Sequence, residues 1–199
     1  MKHIAFLLLL LGACVASAGD TGQASSRVEE KFSAGGIVRL HLSPGGYTIR
    51  AGDPNAIRVS YQGSSADQIK NVKVKIRTSA ASADVFVSDT PHNNFRATIE
   101  LPARSDLRVR LFAGEVVVEE IEGDKDIEVD AGRIEVRIPN PDAYGRRDAS
   151  VRAGSIEGSA FSVSKGGLFR SWEQKGPGKY RLHAHVTTGE ISLNRAPQR

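Results

Sequence analysis

One glycine register recurs five times along the chain, and it limits the possible folds more than any other feature. Setting Gly45, Gly114, Gly132, Gly154 and Gly189 as position zero puts Leu40, Val109, Ile127, Ala149 and Ala184 at minus five, and Leu42, Leu111, Val129, Val151 and Val186 at minus three. Tyr47, Val116, Ile134, Ile156 and Ile191 stand at plus two, and Ile49, Val118, Val136, Gly158 and Leu193 at plus four. Nineteen of these twenty positions are apolar or aromatic, while those between them are mostly charged or hydroxylic, as at Arg108, Glu128, Ser150, His183 and His185. Period-two alternation on both sides of each glycine reads as two half-buried strands. The glycine reaches positive φ without a Cβ penalty and so allows a sharp corner between them.

A strand–corner–strand unit cannot bury its own apolar face, so the copies must stack. Spacings of 18, 22 and 35 residues from Gly114 onward predict coils stacked in chain order, the last interval carrying an insertion. Stacking the Gly114 unit on the Gly132 unit sets Arg108 beside Asp126, Arg110 beside Glu128, Glu115 beside Arg133 and Glu119 beside Arg137. Stacking Gly132 on Gly154 sets Asp130 beside Arg152. Each such pair contributes only about 0.2–1 kcal/mol, but like charges would oppose the alignment, so these charges are expected to fix register.

The first half is a looser β-sheet. One glycine unit lies within 27–50, and alternating runs follow at 56–62, 72–77, 83–88 and 95–101. Turn-rich segments and prolines separate the runs. Only 65–70 could form a helical turn, so the fold class is all-β: a single-stranded β-solenoid-like stack of short strands with glycine corners. The insertion from Ser159 to Lys179 holds Phe161, Phe169 and Trp172. These rings are expected either to cap the open end of the stack or to line an interaction loop.

At the N-terminus, Lys2-His3 and the apolar run 4–11 end in small residues, which reads as a secretory signal too short to span a membrane. Cleavage after Ala18 competes with a lipobox, Leu11-Gly12-Ala13-Cys14, in which Cys14 would be the lipidated first residue. The expected organisation is a signal at 1–18, or 1–13 for a lipoprotein, a flexible segment at 19–31 and a β-solenoid domain at 32–195. Both cleavages export the chain to the periplasm, outer membrane or cell surface. A single Cys excludes an internal disulfide framework, and the absence of any Asn-x-Ser/Thr acceptor favours a bacterial envelope. With 27 basic against 23 acidic residues the formal charge is only +4, too weak to point to nucleic acid.

The segment LPARSDLRVRLFAGEVVVEEIEGDKDIEVDAGRIEV, with ASVRAGSIEG and HVTTGEISL, resembles the DUF4097 family of bacterial β-strand-repeat proteins, also called "putative adhesin" or toast-rack domains. The resemblance runs from Gly35 to Leu193. It implies a right-handed β-solenoid-like stack at or outside the membrane, and it carries over no catalytic residues.

His183 and His185, two apart on one strand face, have a spacing that can ligate zinc or copper, but no third ligand is fixed near them by sequence. The acids from Glu115 to Asp130 lack any calcium-loop pattern, and five of the eight find an arginine in the register. Residues 145–199 carry ten basic side chains against four acids, a lopsidedness suited to an anionic surface. No nucleophile elbow, zinc-protease helix or phosphate loop occurs. The sequence therefore predicts no catalytic residues, metal or cofactor. It reads as a non-enzymatic envelope or adhesin-like domain with an unidentified envelope or protein partner, with lipid anchoring through Cys14 and end-to-end self-association both open to it. The alternatives are a partner or sensor in envelope-stress signalling and an enzyme acting on envelope polysaccharide.

Overall fold

The structure is a computed structural model that describes residues 24–33 and 35–197. The signal segment and Cys14 lie outside the described residues. Twelve strands form one open mixed sheet, so the fold is all-β. In chain order they are β1 (Ala24–Lys31), β2 (Ile37–Leu42), β3 (Gly45–Ala51), β4 (Ala56–Gly63), β5 (Lys73–Thr78), β6 (Ser82–Ser88), β7 (Arg96–Leu101), β8 (Asp106–Glu119), β9 (Lys125–Ile138), β10 (Tyr144–Gly158), β11 (Val163–Lys175) and β12 (Tyr180–Arg195). One helical turn, α1 (Ala66–Ile69), is capped by the Ser65 side chain, which accepts from the Gln68 amide.

The long strands β8, β9, β10 and β12 bend at their register glycines. Leu111 and Val116 are five residues apart and both buried, as are Val129 and Ile134. An odd spacing between two inward residues means that the corner reverses which side of the strand faces the core. The strands therefore make two wings that face one another across a single apolar core. The first wing runs β5–β6–β2–β8–β9–β12–β10–β11 and the second runs β1–β4–β7–β3–β8–β9–β12–β10–β11.

The corner glycines form a column along the hinge: Gly45, Gly114, Gly132, Gly189, Gly154 and, on β11, Gly167 are successive register partners. Gly132 has φ +141, and a Cβ there would lie 1.8 Å from the Gly114 carbonyl oxygen. Glycine is thus required at the interior of the column both by conformation and by the closeness of the next strand. All nineteen side chains at the four repeated apolar positions are buried.

Three features depart from the sequence reading. The stack does not follow chain order: β10 turns into β11, which runs antiparallel along it, and β12 returns between β9 and β10, parallel to both. Asp130 and Arg152 are therefore not neighbours, because β12 separates their strands. The reason is physical: the units are near copies, so either order buries the same apolar rows, and the β10–β11 hairpin selects the one seen. Second, β6 and β7 form a further bent unit beside β2 and β3, with a loop at 89–95 and the buried Phe95 in place of a corner glycine. Third, the part of the expected flexible segment that is described, Ala24–Lys31, is strand β1, antiparallel to β4.

Candidate functional site

Since the inward faces of the strands between the sheet edges are spent on the core, the outward faces hold the polar chemistry. On the first wing two rungs of side chains cross eight strands in register. One runs Arg77, Asp84, Arg39, Arg108, Asp126, His183, Asp148, Glu173. The other runs Lys75, Phe86, His41, Arg110, Glu128, His185, Ser150, Ser171.

Arg110 is the centre of this face. Its Nη1 and Nη2 donate to the two carboxylate oxygens of Asp126, each at 3.1 Å, and Nη2 lies 3.0 Å from Glu128 Oε1. Arg108 stands opposite Asp126 in the register, but Asp126 turns to Arg110 on the diagonal. On the next strands His183 Nδ1 is hydrogen-bonded to Asp148, and His185 Nδ1 meets Ser150 Oγ at 2.8 Å. Ligand atoms of Asp126, Glu128 and His183 lie within 4.8 Å of one another. Toward β6 the His41 ring stacks on Phe86 at 4.7 Å, with the Arg77 guanidinium 5.5 Å from the Phe86 ring centre. His41, Phe86, Arg110, Phe112, Glu128 and Asp130 line an open groove of about 450 Å³ on this face.

The second wing is arranged differently. Glu29, Arg58, Glu100, Arg50, Glu119 and Arg137 alternate in sign across six strands. Arg58 reaches Glu29 and Glu100 at 2.9 Å each, Arg50 reaches Glu100 at 2.7 Å, and Arg137 pairs with Glu119. Hydrogen bonds from Arg50 and Arg58 hold the Glu100 carboxyl below its ordinary range. Arg133 faces Glu115 in the register but donates to Glu190 of β12 at 3.0 Å, while Glu115 lies 3.9 Å from Arg96.

The aromatic insertion is split. Phe161 is buried and stacks on Trp172 at 5.4 Å, with the Arg147 guanidinium 4.6 Å from its ring centre, so these groups close the end of the core. Phe169 is 75% exposed beside the hinge, and Phe112 stands at 67% near the hinge on β8.

Two buried cations went unnoticed in the sequence. Lys125 and Arg147 occupy the row seven residues before the corner, which Leu107 and Leu182 fill with apolar groups. Lys125 Nζ donates to the carbonyls of Ile121 (2.7 Å) and Gly123 (3.2 Å) and to Tyr144 Oη, and burial pushes its pKa down to about 8. Arg147 donates to the Tyr144 and Pro141 carbonyls and to Gln174. Both tie off turn carbonyls at the wing tip; a charged residue in an otherwise apolar row was the signal that could have found them. The His183 cluster was hidden for another reason: chain-order stacking keeps β12 away from β9.

No family model matches the chain, and no curated protein matches it. Among solved structures, the "putative cell adhesion protein" of Clostridium sporogenes is similar over 86% of this chain and 100% of its own, with 11% identity and a TM-score of 0.50. A "putative adhesin" of Bacteroides fragilis is similar over 85% and 97%, with 10% identity and a TM-score of 0.32. One from Parabacteroides merdae covers 90% and 96%, with 9% identity and a TM-score of 0.33. The likeness to the Clostridium protein shows a shared fold and nothing finer.

Proposed function

We propose that this chain is an exported, non-enzymatic bacterial domain of the DUF4097 type that presents its two outward faces for adhesive or envelope interactions. The observation that carries this reading is the use of its charges. On both wings carboxylates that could serve as acid and base in glycoside cleavage are tied to arginines: Asp126 and Glu128 to Arg110, and Glu100 to Arg50 and Arg58. A hydrolytic pair needs one carboxyl kept protonated and the other free to attack or to activate water. Arginine pairing favours the ionised form of both partners and so works against that division of labour. The fold shared with the Clostridium protein supports the same reading.

The test is co-sedimentation of the exported chain with isolated bacterial envelope fragments. Binding that weakens as salt is raised is expected of a charged face. Release of soluble sugar from the fragments, or failure to sediment at any ionic strength, would overturn the proposal. Mass spectrometry of the mature N-terminus settles the mode of attachment: a diacylglyceryl group on Cys14 gives a lipoprotein, a free Gly19 an unanchored one.

A further inference from the structure

We propose that Asp126, Glu128 and His183 form a zinc-binding site on the outward face of the first wing, with Arg110 as the cation that competes for it. The inference stands apart from the envelope reading, since a zinc site on this face needs no particular partner.

Asp126 and Glu128 are two apart on β9 and share a face; His183 is the register partner of Asp126 on the adjacent parallel strand β12. One ligand atom from each already lies within 4.8 Å of the others. Zinc bonds of about 2.0–2.2 Å ask for ligand atoms roughly 3.3 Å apart, a convergence that partly exposed side chains reach by rotating. An imidazole joined to two carboxylates is a mixed nitrogen and oxygen set, suited to zinc rather than to calcium or magnesium, which take oxygen.

A further strand supplies the independent observation. Asp148 of β10 accepts a hydrogen bond from His183 Nδ1 on the side away from β9. That bond fixes the tautomer and leaves Nε2 to accept a metal, the arrangement in which a carboxylate behind a ligating histidine raises its basicity. His185, on the neighbouring rung opposite Glu128, is held by Ser150 and takes no part.

Arg110 sets the affinity. Its guanidinium sets a single positive charge against the two carboxylates of Asp126 and Glu128 and also donates to the carbonyl of Val109 at 2.9 Å, on its own strand. A divalent ion brings twice the charge to the same oxygens, and the arginine, 41% exposed, has solvent to retreat into.

Isothermal titration of the full chain with zinc chloride tests this. The wild-type chain is expected to bind one zinc. Asp148→Asn should weaken binding about tenfold, as loss of an orienting carboxylate does, and His183→Asn by more. Arg110→Gln should tighten binding, and His41→Asn, on the far side of Arg110, should leave it unchanged. Opposite changes in H183N and R110Q cannot both come from damage to the fold. Absence of binding by the wild-type chain, or equal binding by wild type and H183N, overturns the site.

Discussion

The two wings share a backbone plan and a core, yet their outer faces are put to different uses. On the second wing the run from Glu29 to Arg137 alternates acid and base without a break, and its central carboxylate, Glu100, is gripped from both sides. On the first wing the alternation fails where Arg39 meets Arg108, and three histidines, His41, His183 and His185, enter the rungs. A complete ladder is saturated: each charge has its partner, and what remains is register and stability. An incomplete one leaves groups that gain by meeting something else. The same strands thus make one face that holds and one that is chemically unfinished.

The largest effect that would break the comparison lies at the hinge both wings depend on. Gly132→Ala places a methyl group against the Gly114 carbonyl at a φ that alanine resists, and should cost about 3 kcal/mol or more in denaturant unfolding. Gly167→Ala, at the edge of the same column, meets only the Arg170 side chain at 3.3 Å, so its cost should be confined to backbone strain, about 1 kcal/mol.

Next in size is the alkaline response of the first wing. Lys125 loses its proton near pH 8 in the folded chain and at an ordinary 10.5 when unfolded. Between those values the unfolded state binds more protons, so stability should rise from pH 8 to about 10, by about 2 kcal/mol. Above that, buried Tyr47 and Tyr144, whose pKa values burial raises, oppose the gain, because they keep protons that the unfolded chain gives up. Lys125→Met should flatten the rise; an unchanged profile in chemical denaturation would mean that the buried amine is not its source.

The second wing should answer to acid instead. The Glu100 carboxyl titrates below its ordinary 4.5 in the folded chain, so its contribution is complete above that pH and is lost as pH falls through the folded value. Glu100→Gln should cost about 1 kcal/mol at neutral pH, little enough because the ladder is solvent-screened, and should blunt the acid limb of the stability curve. Smallest of all, Phe169→Ser should leave stability within about 0.5 kcal/mol, since the ring is already in water. Trp172→Ala, which uncovers the end of the core beside Phe161, should cost more, and equal melting temperatures for the two would contradict the split seen in the insertion.

The corners and the inward rows were legible because a period-two pattern around glycine has one structural solution. The four runs of the first half appear as β4 to β7 for the same reason, and the turn at 65–70 as α1. Stacking order was not legible, since Gly189 fits beside Gly132 as well as Gly154 does. That one ambiguity accounts for the misplaced pair Asp130 and Arg152, and it also hid the meeting of His183 with Asp126. The β6–β7 unit escaped notice because its corner is built from a loop and a phenylalanine, which leave no mark in a glycine register. Arg110 with Glu128 and Arg137 with Glu119 could be aligned because β8 and β9 are neighbours in both orders.

The place of β12 in the sheet bears on how the chain reaches this state. Among the described strands it is made last, yet it sits inside the sheet, with β9 on one side and β10 on the other. Until it emerges, the strands up to β9 and the β10–β11 hairpin have no ladder joining them, and two rows of backbone amides and carbonyls stay open. Parallel pairing on both flanks closes loops of many residues at once, a slow and cooperative step. A sheet in which an interior strand arrives last postpones its own completion until nearly all of the described strands have been made.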